Sequence, residues 1–519
     1  MTIQTLADIT RVHRQAQGEA EALKYINDQR RWTFTQLDDD ANRVAQKLVQ
    51  AGIAPQDRIA YLDKNAPEYF VYLFGGAKCN AVSVAVNWRL APAEMEYILN
   101  HSEAKILLIG EEFLGALAQM NLSNIKTIIV IGDPGESEYL SYEQWLADAQ
   151  PEDPEIPVHE DDVCYQLYTS GTTGLPKGVE LTHKNFMHCI GVSLNATGMD
   201  GESTNLVCMP LFHISGSGWG VVGLYFGARS ILIRDVELDL ILDTIPAEKV
   251  THTIFVPAVL QFLLSHPKVR QVDFSTLQSI TYGASPITEA VLVEAMEVFG
   301  SSFCQAYGLT ETTGAVVVLR PSDHEPGGDR AHLLRSCGTP IDNHEVCIVD
   351  SNGETVADGE VGEIWIRGPQ IMRGYWRNEA ATHESITAEG WFKSGDAGYL
   401  IDGYLYIHDR VKDMIISGGE NIYPAEIENV LMQHSGIADA AVIGVPSDRW
   451  GETVKAIVTP AQSNLSEQAV IEHCRAYLAG YKCPTSVDFM SDIPRNPSGK
   501  ILKVELRKPY WQGQERQVS

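Results

Sequence analysis

Apolar positions along this chain recur in two rhythms. From Gln36 to Ala51 the residues Leu37, Ala41, Val44, Ala45 and Leu48 fall at helical spacing, and Gly52 stops the run. Between such stretches stand short apolar runs: Ile59-Ala60-Tyr61, Ile106 to Ile109, Thr127 to Ile131, Ser230 to Ile233 and Thr253 to Val256. Strands of this kind are buried on both faces. Alternating with helices, they predict a layered α/β architecture with largely parallel sheets.

The texture changes near Glu345. Glu345 to Asp350, Glu363 to Arg367 and Gly403 to His408 read as short strands, separated by turns such as Asn352-Gly353 and Asp402-Gly403. This predicts a small antiparallel, β-barrel-like subdomain. After Asp409-Arg410 comes a compact α/β tail. Pro424 opens a helix carrying Ile427, Val430 and Leu431, strands follow at Ala440 to Ile443 and Lys455 to Val458, and Ser466 begins a helix with Val470, Ile471, Cys474 and Leu478 on its apolar face. The expected division is a large domain over 1–409 and a small, mobile α/β domain over 410–519. No low-complexity linker joins them, so the boundary is a tight hinge.

Composition narrows the function. With 519 residues, 44% of them apolar and 21% charged, the chain reads as a soluble globular protein with more than one core. Acidic residues number 68 against 39 basic ones, a formal net charge of −29, which argues against a nucleic-acid partner. No run reaches the roughly 18 apolar residues of a membrane span, and the polar stretch Met1 to Ala20 does not resemble a signal peptide. Nine scattered cysteines without CxxC pairs point away from a disulfide framework or a zinc site and toward a reducing cytoplasm.

Five segments carry chemistry. In Tyr168-Thr169-Ser170-Gly171-Thr172-Thr173-Gly174-Leu175-Pro176-Lys177-Gly178 the glycines let successive amides turn toward one anion, hydroxyls add donors, and Lys177 adds a point charge. That suits a polyphosphate; a polar surface loop is the plainer alternative. Lys177 is followed by Gly178, so this is not the loop ending in Gly-Lys-Ser/Thr. Gln305-Ala306-Tyr307-Gly308-Leu309-Thr310-Glu311-Thr312 sets a carboxylate beside a hydroxyl, which suits a phosphate-bridging Mg²⁺; a helix cap or a solvent-exposed Glu311 is the plainer alternative. Asp396, in Trp391 to Asp396, suits a ribose diol, or simply forms a turn. Asp409 to Asn421 and the turn-rich Pro494 to Lys500 complete the set.

In this order, and over nearly the whole chain, these segments resemble the adenylate-forming superfamily of acyl-CoA synthetases, adenylation domains and luciferases. The resemblance implies an ATP-dependent carboxylic acid–CoA ligase. Thr169, Ser170, Gly171, Thr172, Thr173, Gly174 and Lys177 would grip the β- and γ-phosphates. Glu311 would contact Mg²⁺ and Thr310 the α-phosphate. Gly283, Ala284 and Ser285 would flank adenine on one side and Gln305, Ala306, Tyr307 and Gly308 on the other. Asp396 and Arg410 would hold the ribose. Lys500 would bridge the incoming carboxylate and the α-phosphate, Lys412 would be the hinge, and Ser417, Gly418 and Gly419 would flank the pantetheine arm of coenzyme A.

Met209 to Gly216 matches the substrate-side motif, with His213 as its aromatic gate; amino-acid-activating relatives usually carry an aspartate there. Gly216, Ser217, Trp219, Val256, Pro257, Tyr282, Gly283, Gly308 and Val316 are the candidate acyl pocket, with helix packing as the alternative for each. A medium-chain fatty acid or a compact cyclic or aromatic acid is expected. The chain runs only to Ser519 after Lys500, so free coenzyme A is the economical acceptor. A stand-alone adenylating enzyme serving a carrier protein is the alternative, and a non-catalytic nucleotide- or acyl-CoA-binding homologue is a third, opposed by the joint presence of Lys177, Glu311, Asp396, Arg410 and Lys500. Homodimer formation stays open.

Overall fold

The computed structural model describes residues 2–169, 176–193, 197–285, 287–410, 413–417, 420–447, 450–461, 465–478, 480–495 and 501–511. Two large sheets form the first part of the chain. One has nine strands; its centre, from Ser302–Leu309 through Ser279–Gly283, His252–Phe255, Thr204–Val207 and Arg229–Leu232 to Glu21–Tyr25, is wholly parallel. The other has eight strands, and Val163–Thr169, Val82–Ala85, Arg58–Leu62, Ile106–Gly110 and Thr127–Ile131 run parallel in that order. The fully apolar runs of the sequence thus lie in these centres, where both faces are covered.

Antiparallel pairs occur at the edges. Val163–Thr169 pairs antiparallel with Lys177–Thr182, the strands on either side of the glycine-rich segment in sequence. Ser302–Leu309 turns back into Gly314–Leu319 across the short turn carrying Glu311. The predicted helix near Gln36 spans Phe34–Gln50. Thr33 caps it by accepting from the Gln36 amide, and Gln36 returns the bond to the Thr33 amide.

The barrel-like region is a four-stranded antiparallel sheet of Glu345–Val349, Gly362–Arg367, Phe392–Ile401 and Tyr404–Arg410. Its buried Ile364, Ile366 and Leu405 share an apolar cluster with Val316 and Val317 of the first sheet. This sheet ends at Arg410 and the next begins at Ile415. That fourth sheet joins Glu420–Ile422, Ile415–Ser417, Gly451–Pro460 and Ile437–Ser447, with Ser486–Phe489 alongside Gly451–Pro460. Helices Pro424–Leu431 and Glu467–Tyr477 supply Ile427, Leu431, Val470 and Cys474 to its core.

Among the described residues no helix is long and apolar enough to cross a membrane. All nine cysteines are free thiols, seven of them buried.

Candidate active site

The C-terminal ends of two parallel strands make the first wall. Gly283 lies opposite Ala306, and a Cβ at Gly283 would stand 2.1 Å from the Ala306 carbonyl oxygen, so only glycine fits. Ala284 then takes a left-handed φ of 67°, a strained conformation for a non-glycine residue, which turns the chain out of the sheet toward Ser285. Next to Ala306, Tyr307 points its hydroxyl at Asp396 and donates to Oδ2 at 2.9 Å. Burial first, and the Asp396 charge second, push the Tyr307 phenol far above its usual range, so it remains a donor. Asp396 in turn lies opposite Arg410 on the neighbouring strand. The two residues matched to ribose contacts are therefore register partners, and Tyr307 links them to the first wall.

The second locus centres on Glu311, which is buried on the one-turn segment Thr310–Thr312. Its Oε1 accepts from the Tyr375 hydroxyl at 3.0 Å and from Thr169 Oγ1 at 3.4 Å. Burial, and then the Glu311 charge, hold the Tyr375 phenol protonated. Lys177 stands opposite Thr169, with Nζ 4.9 Å from the centre of the Tyr375 ring. Thr312 braces the turn, accepting from the Leu309 amide and donating to the Gly314 carbonyl at 2.8 Å each. Gly308 is forced by this turn, since a Cβ there would meet the Gly314 oxygen at 1.8 Å.

Tyr375 was not singled out from sequence, and Thr312 stood in its segment without a role. Tyr375 sits in the two-residue strand Gly374–Tyr375 on the outer edge of Lys177–Thr182, and no local pattern marks it. Ser170 to Gly174, Lys412, Gly418, Gly419 and Lys500 lie outside the described residues, as does the side chain of Arg410. Ser417 is described: it ends the strand Ile415–Ser417, opposite Glu420 and Gly451.

On the acid side, His213 precedes the helix Ile214–Phe226. Its Nδ1 accepts from the Ser215 amide at 3.3 Å and lies 3.0 Å from Ser215 Oγ, which leaves the ring proton on Nε2. Burial lowers its pKa to about 4, so the ring is neutral. Gly216 fits against the Pro210 carbonyl, where a Cβ would stand at 2.2 Å, and Ser217 Oγ donates to the His213 carbonyl at 3.0 Å. Trp219 follows on the same helix, 4% exposed. Val256 and Pro257 begin the helix Pro257–Ser265 just after the strand His252–Phe255.

Two residues of the expected pocket are packed within apolar clusters. Strand alternation turns Tyr282 away from the Gly283 face, and its hydroxyl lies 2.9 Å from His324 Nε2 within the core on the sheet's other side. Val316 is fully buried in the cluster shared with the four-stranded sheet.

Thr169 bonds to Glu311, Lys177 stands opposite Thr169, and Asp396 lies opposite Arg410, so residues far apart in the chain are brought together in pairs. The chain belongs to the AMP-binding enzyme family: residues 11–376 match the AMP-binding enzyme model, and residues 426–500 match that of the AMP-binding enzyme C-terminal domain. It is 39% identical over 526 aligned positions to the fatty acid–[acyl-carrier-protein] ligase ScoC of Streptomyces coeruleorubidus, covering 100% of this chain and 98% of that protein. It is 38% identical to a feruloyl-CoA synthase of an Amycolatopsis species, covering 92% of this chain and 94% of the relative. The crystal structure of the anthranilate CoA ligase AuaEII in complex with anthranoyl-AMP superposes with a TM-score of 0.90 at 28% identity, covering 98% of this chain and 97% of that one. The large layered part and the small C-terminal part expected from the sequence are the architecture of this family, and the chain is an AMP-forming ligase.

Proposed function

We propose that this chain is an ATP-dependent carboxylic acid–CoA ligase. In the first step a carboxylate oxygen attacks the α-phosphorus of ATP and pyrophosphate leaves, giving acyl-AMP. In the second the coenzyme A sulfur attacks the acyl carbonyl, the thiol proton is lost, and AMP leaves. The observation that carries the reading is that Thr169 and Tyr375 both bond to Glu311, with Lys177 over the Tyr375 ring, together with a Tyr307–Asp396 pair whose register partner is Arg410.

Each residue has a physical task in the first step. Lys177 offsets charge as pyrophosphate departs, and Asp396 accepts from the ribose hydroxyls to fix the sugar. Lys500 bridges the two anions that must meet, which is where cationic stabilisation counts most. Glu311 fits Mg²⁺: among the described residues both of its side-chain hydrogen bonds fall on Oε1, and Oε2 would be the atom to contact the ion. Among the described residues no cluster of three His, Cys, Asp or Glu would cage the ion, which leaves room for phosphate and water oxygens. When bound, Mg²⁺ neutralises phosphate charge.

The two steps need one carbonyl approached from two sides. We place the domain boundary at 409/410, one residue before the four-stranded sheet ends at Arg410 and ahead of the sheet that begins at Ile415. Rotation about Lys412 withdraws Lys500 and brings Ser417, Gly418 and Gly419 beside the pantetheine arm. The acid is a medium-chain fatty acid or a compact cyclic or aromatic acid, and nine free thiols suit a reducing cytoplasm.

A carrier-protein thiol is the second reading, favoured by full-length similarity to a ligase named for an acyl-carrier protein. Pyrophosphate release across a panel of acids, with coenzyme A, with a phosphopantetheinylated carrier protein, or with neither, separates the two. Acyl-CoA formation is the expected product. Adenylate formation with transfer only to the carrier would refute the coenzyme A assignment.

A further inference from the structure

The two faces of the nine-stranded sheet differ in chemistry. Ile280, Tyr282, Leu206 and Phe303 belong to an apolar cluster with the helices on one side. On the other face the ladder sets Ser230, Asn205, His252 and Ser279 in one row across four adjacent strands. Thr281 stands on that face too, between Ser279 and Gly283 along one strand. All five are buried. The interior of a parallel sheet is ordinarily lined with Val, Ile and Leu, so a polar row there calls for a reason.

Partners account for only part of the row. His252 is bonded at both ring nitrogens, and Asn205 Nδ2 donates to the Trp219 carbonyl at 3.2 Å. Asn205 Oδ1, Ser230 Oγ, Ser279 Oγ and Thr281 Oγ1 have no hydrogen-bond partner among the described residues. Neither has the indole Nε1 of Trp219. Trp219 rides the helix covering this face: Gly223, four residues on and therefore on the same side, sits where a Cβ would be 2.5 Å from Asn205 Nδ2 and 2.8 Å from Ser230 Oγ. Buried polar groups are nearly always paired, and a concentration of orphans on one face of the sheet marks a place where something else binds.

The strand direction says what that is. At about 3.3 Å per residue, Thr281 lies about 7 Å and Ser279 about 13 Å below Gly283, where the adenylate end of the acid is read to lie. An indole N–H donates, an amide oxygen accepts and hydroxyls do both, while the row holds no Asp, Glu, Lys or Arg. We infer that the far end of the acid pocket is this polar floor, and that the acid activated by this enzyme carries an uncharged oxygen function, a hydroxyl, ether or carbonyl, at that depth. The inference rests on the ligase reading above and specifies its substrate class.

The test compares matched acids in pyrophosphate release: 8-hydroxyoctanoate with octanoate, and 4-hydroxyphenylpropanoate with phenylpropanoate. In the wild-type enzyme kcat/KM should favour at least one oxygenated member by about fivefold or more, the factor one net hydrogen bond supplies. The near-isosteric Thr281→Val, and Trp219→Phe, should bring that ratio below about threefold. Thr281→Val and Ser279→Ala should also raise the melting temperature of the acid-free protein, because each removes an unpaired buried hydroxyl. A wild-type ratio near one for both pairs, a ratio that survives both substitutions, or lower melting temperatures in both hydroxyl variants would overturn the inference. Pyrophosphate release without discrimination overturns the inference alone, whereas no release with any acid overturns the ligase reading together with it.

Discussion

Replacing Tyr307 by phenylalanine removes one oxygen atom and leaves the ring in place. In the folded chain that oxygen donates to Asp396 Oδ2 at 2.9 Å, with Tyr307 and Asp396 each 8% exposed. Water cannot readily substitute for the lost donor at such a site. A hydrogen bond to a charged group contributes about 2 kcal/mol net. At about 1.4 kcal/mol per tenfold, this is a factor of about 30. In the reading proposed above Asp396 holds the ribose, away from the reacting phosphorus, so the loss would fall on nucleotide binding in ground state and transition state alike.

The expected result for Tyr307→Phe is therefore a KM for ATP raised about 10- to 30-fold, with kcat changed less than about threefold. Steady-state pyrophosphate release at saturating acid measures both. Asp396→Asn and the double variant complete a thermodynamic cycle, in which the second loss should be much smaller than the first because both substitutions break the same bond. A KM for ATP within twofold of wild type would refute the reasoning. So would single effects that add within about 0.5 kcal/mol, since Tyr307 would then act independently of Asp396.

Gly308→Ala should destabilise the fold by about 3 kcal/mol and abolish pyrophosphate release, because its Cβ would stand 1.8 Å from the Gly314 oxygen. Gly115→Ala, with nothing within 4 Å, is the matched control and should leave the melting temperature unchanged or slightly raised. Lys500→Ala should slow acyl-adenylate formation by about 100-fold or more and spare transfer from a pre-formed adenylate, as rapid-quench assays of the two half-reactions would show; equal loss in both would count against domain alternation. His183, buried with Nδ1 accepting from the Leu6 amide at 3.0 Å, has its pKa lowered by burial from 6.5 to about 4. Since the folded value lies below the unfolded one, its contribution is complete above about pH 6.5 and is lost as pH falls toward 4, by up to about 3 kcal/mol. His183→Gln should flatten the melting-temperature profile over that window, and a profile parallel to wild type would exclude this source of acid sensitivity.

How much of the site was legible in the sequence depends on how each pair is brought together. Runs such as Ile106 to Ile109 announce central strands because burial on both faces leaves its mark residue by residue. Edge direction leaves no such mark, so the antiparallel pairings of the strands on either side of the phosphate loop and of Glu311 were not foreseen. Tyr375 reaches Glu311 from a strand 64 residues away, a contact that no local pattern encodes.

The ribose pair lies between these cases. Asp402 and Gly403 both take positive φ, 51° and 80°, as a two-residue hairpin turn requires, and Ile401 pairs with Tyr404 across it. Counting back from that turn in strict register places Asp396 opposite Asp409, a like-charged residue. An irregularity between Ala397 and Gly398 shifts the ladder by one and sets Asp396 opposite Arg410 instead. The turn was readable from its two residues, but the bulge was not, because a close approach at Gly398 permits it: a Cβ there would stand 2.5 Å from the Tyr406 carbonyl. The register that sets Asp396 opposite Arg410 thus coincides with a position where only glycine fits, and Gly398→Ala should disturb this pairing and raise the KM for ATP in pyrophosphate release, whereas an unchanged KM would separate the register from nucleotide binding.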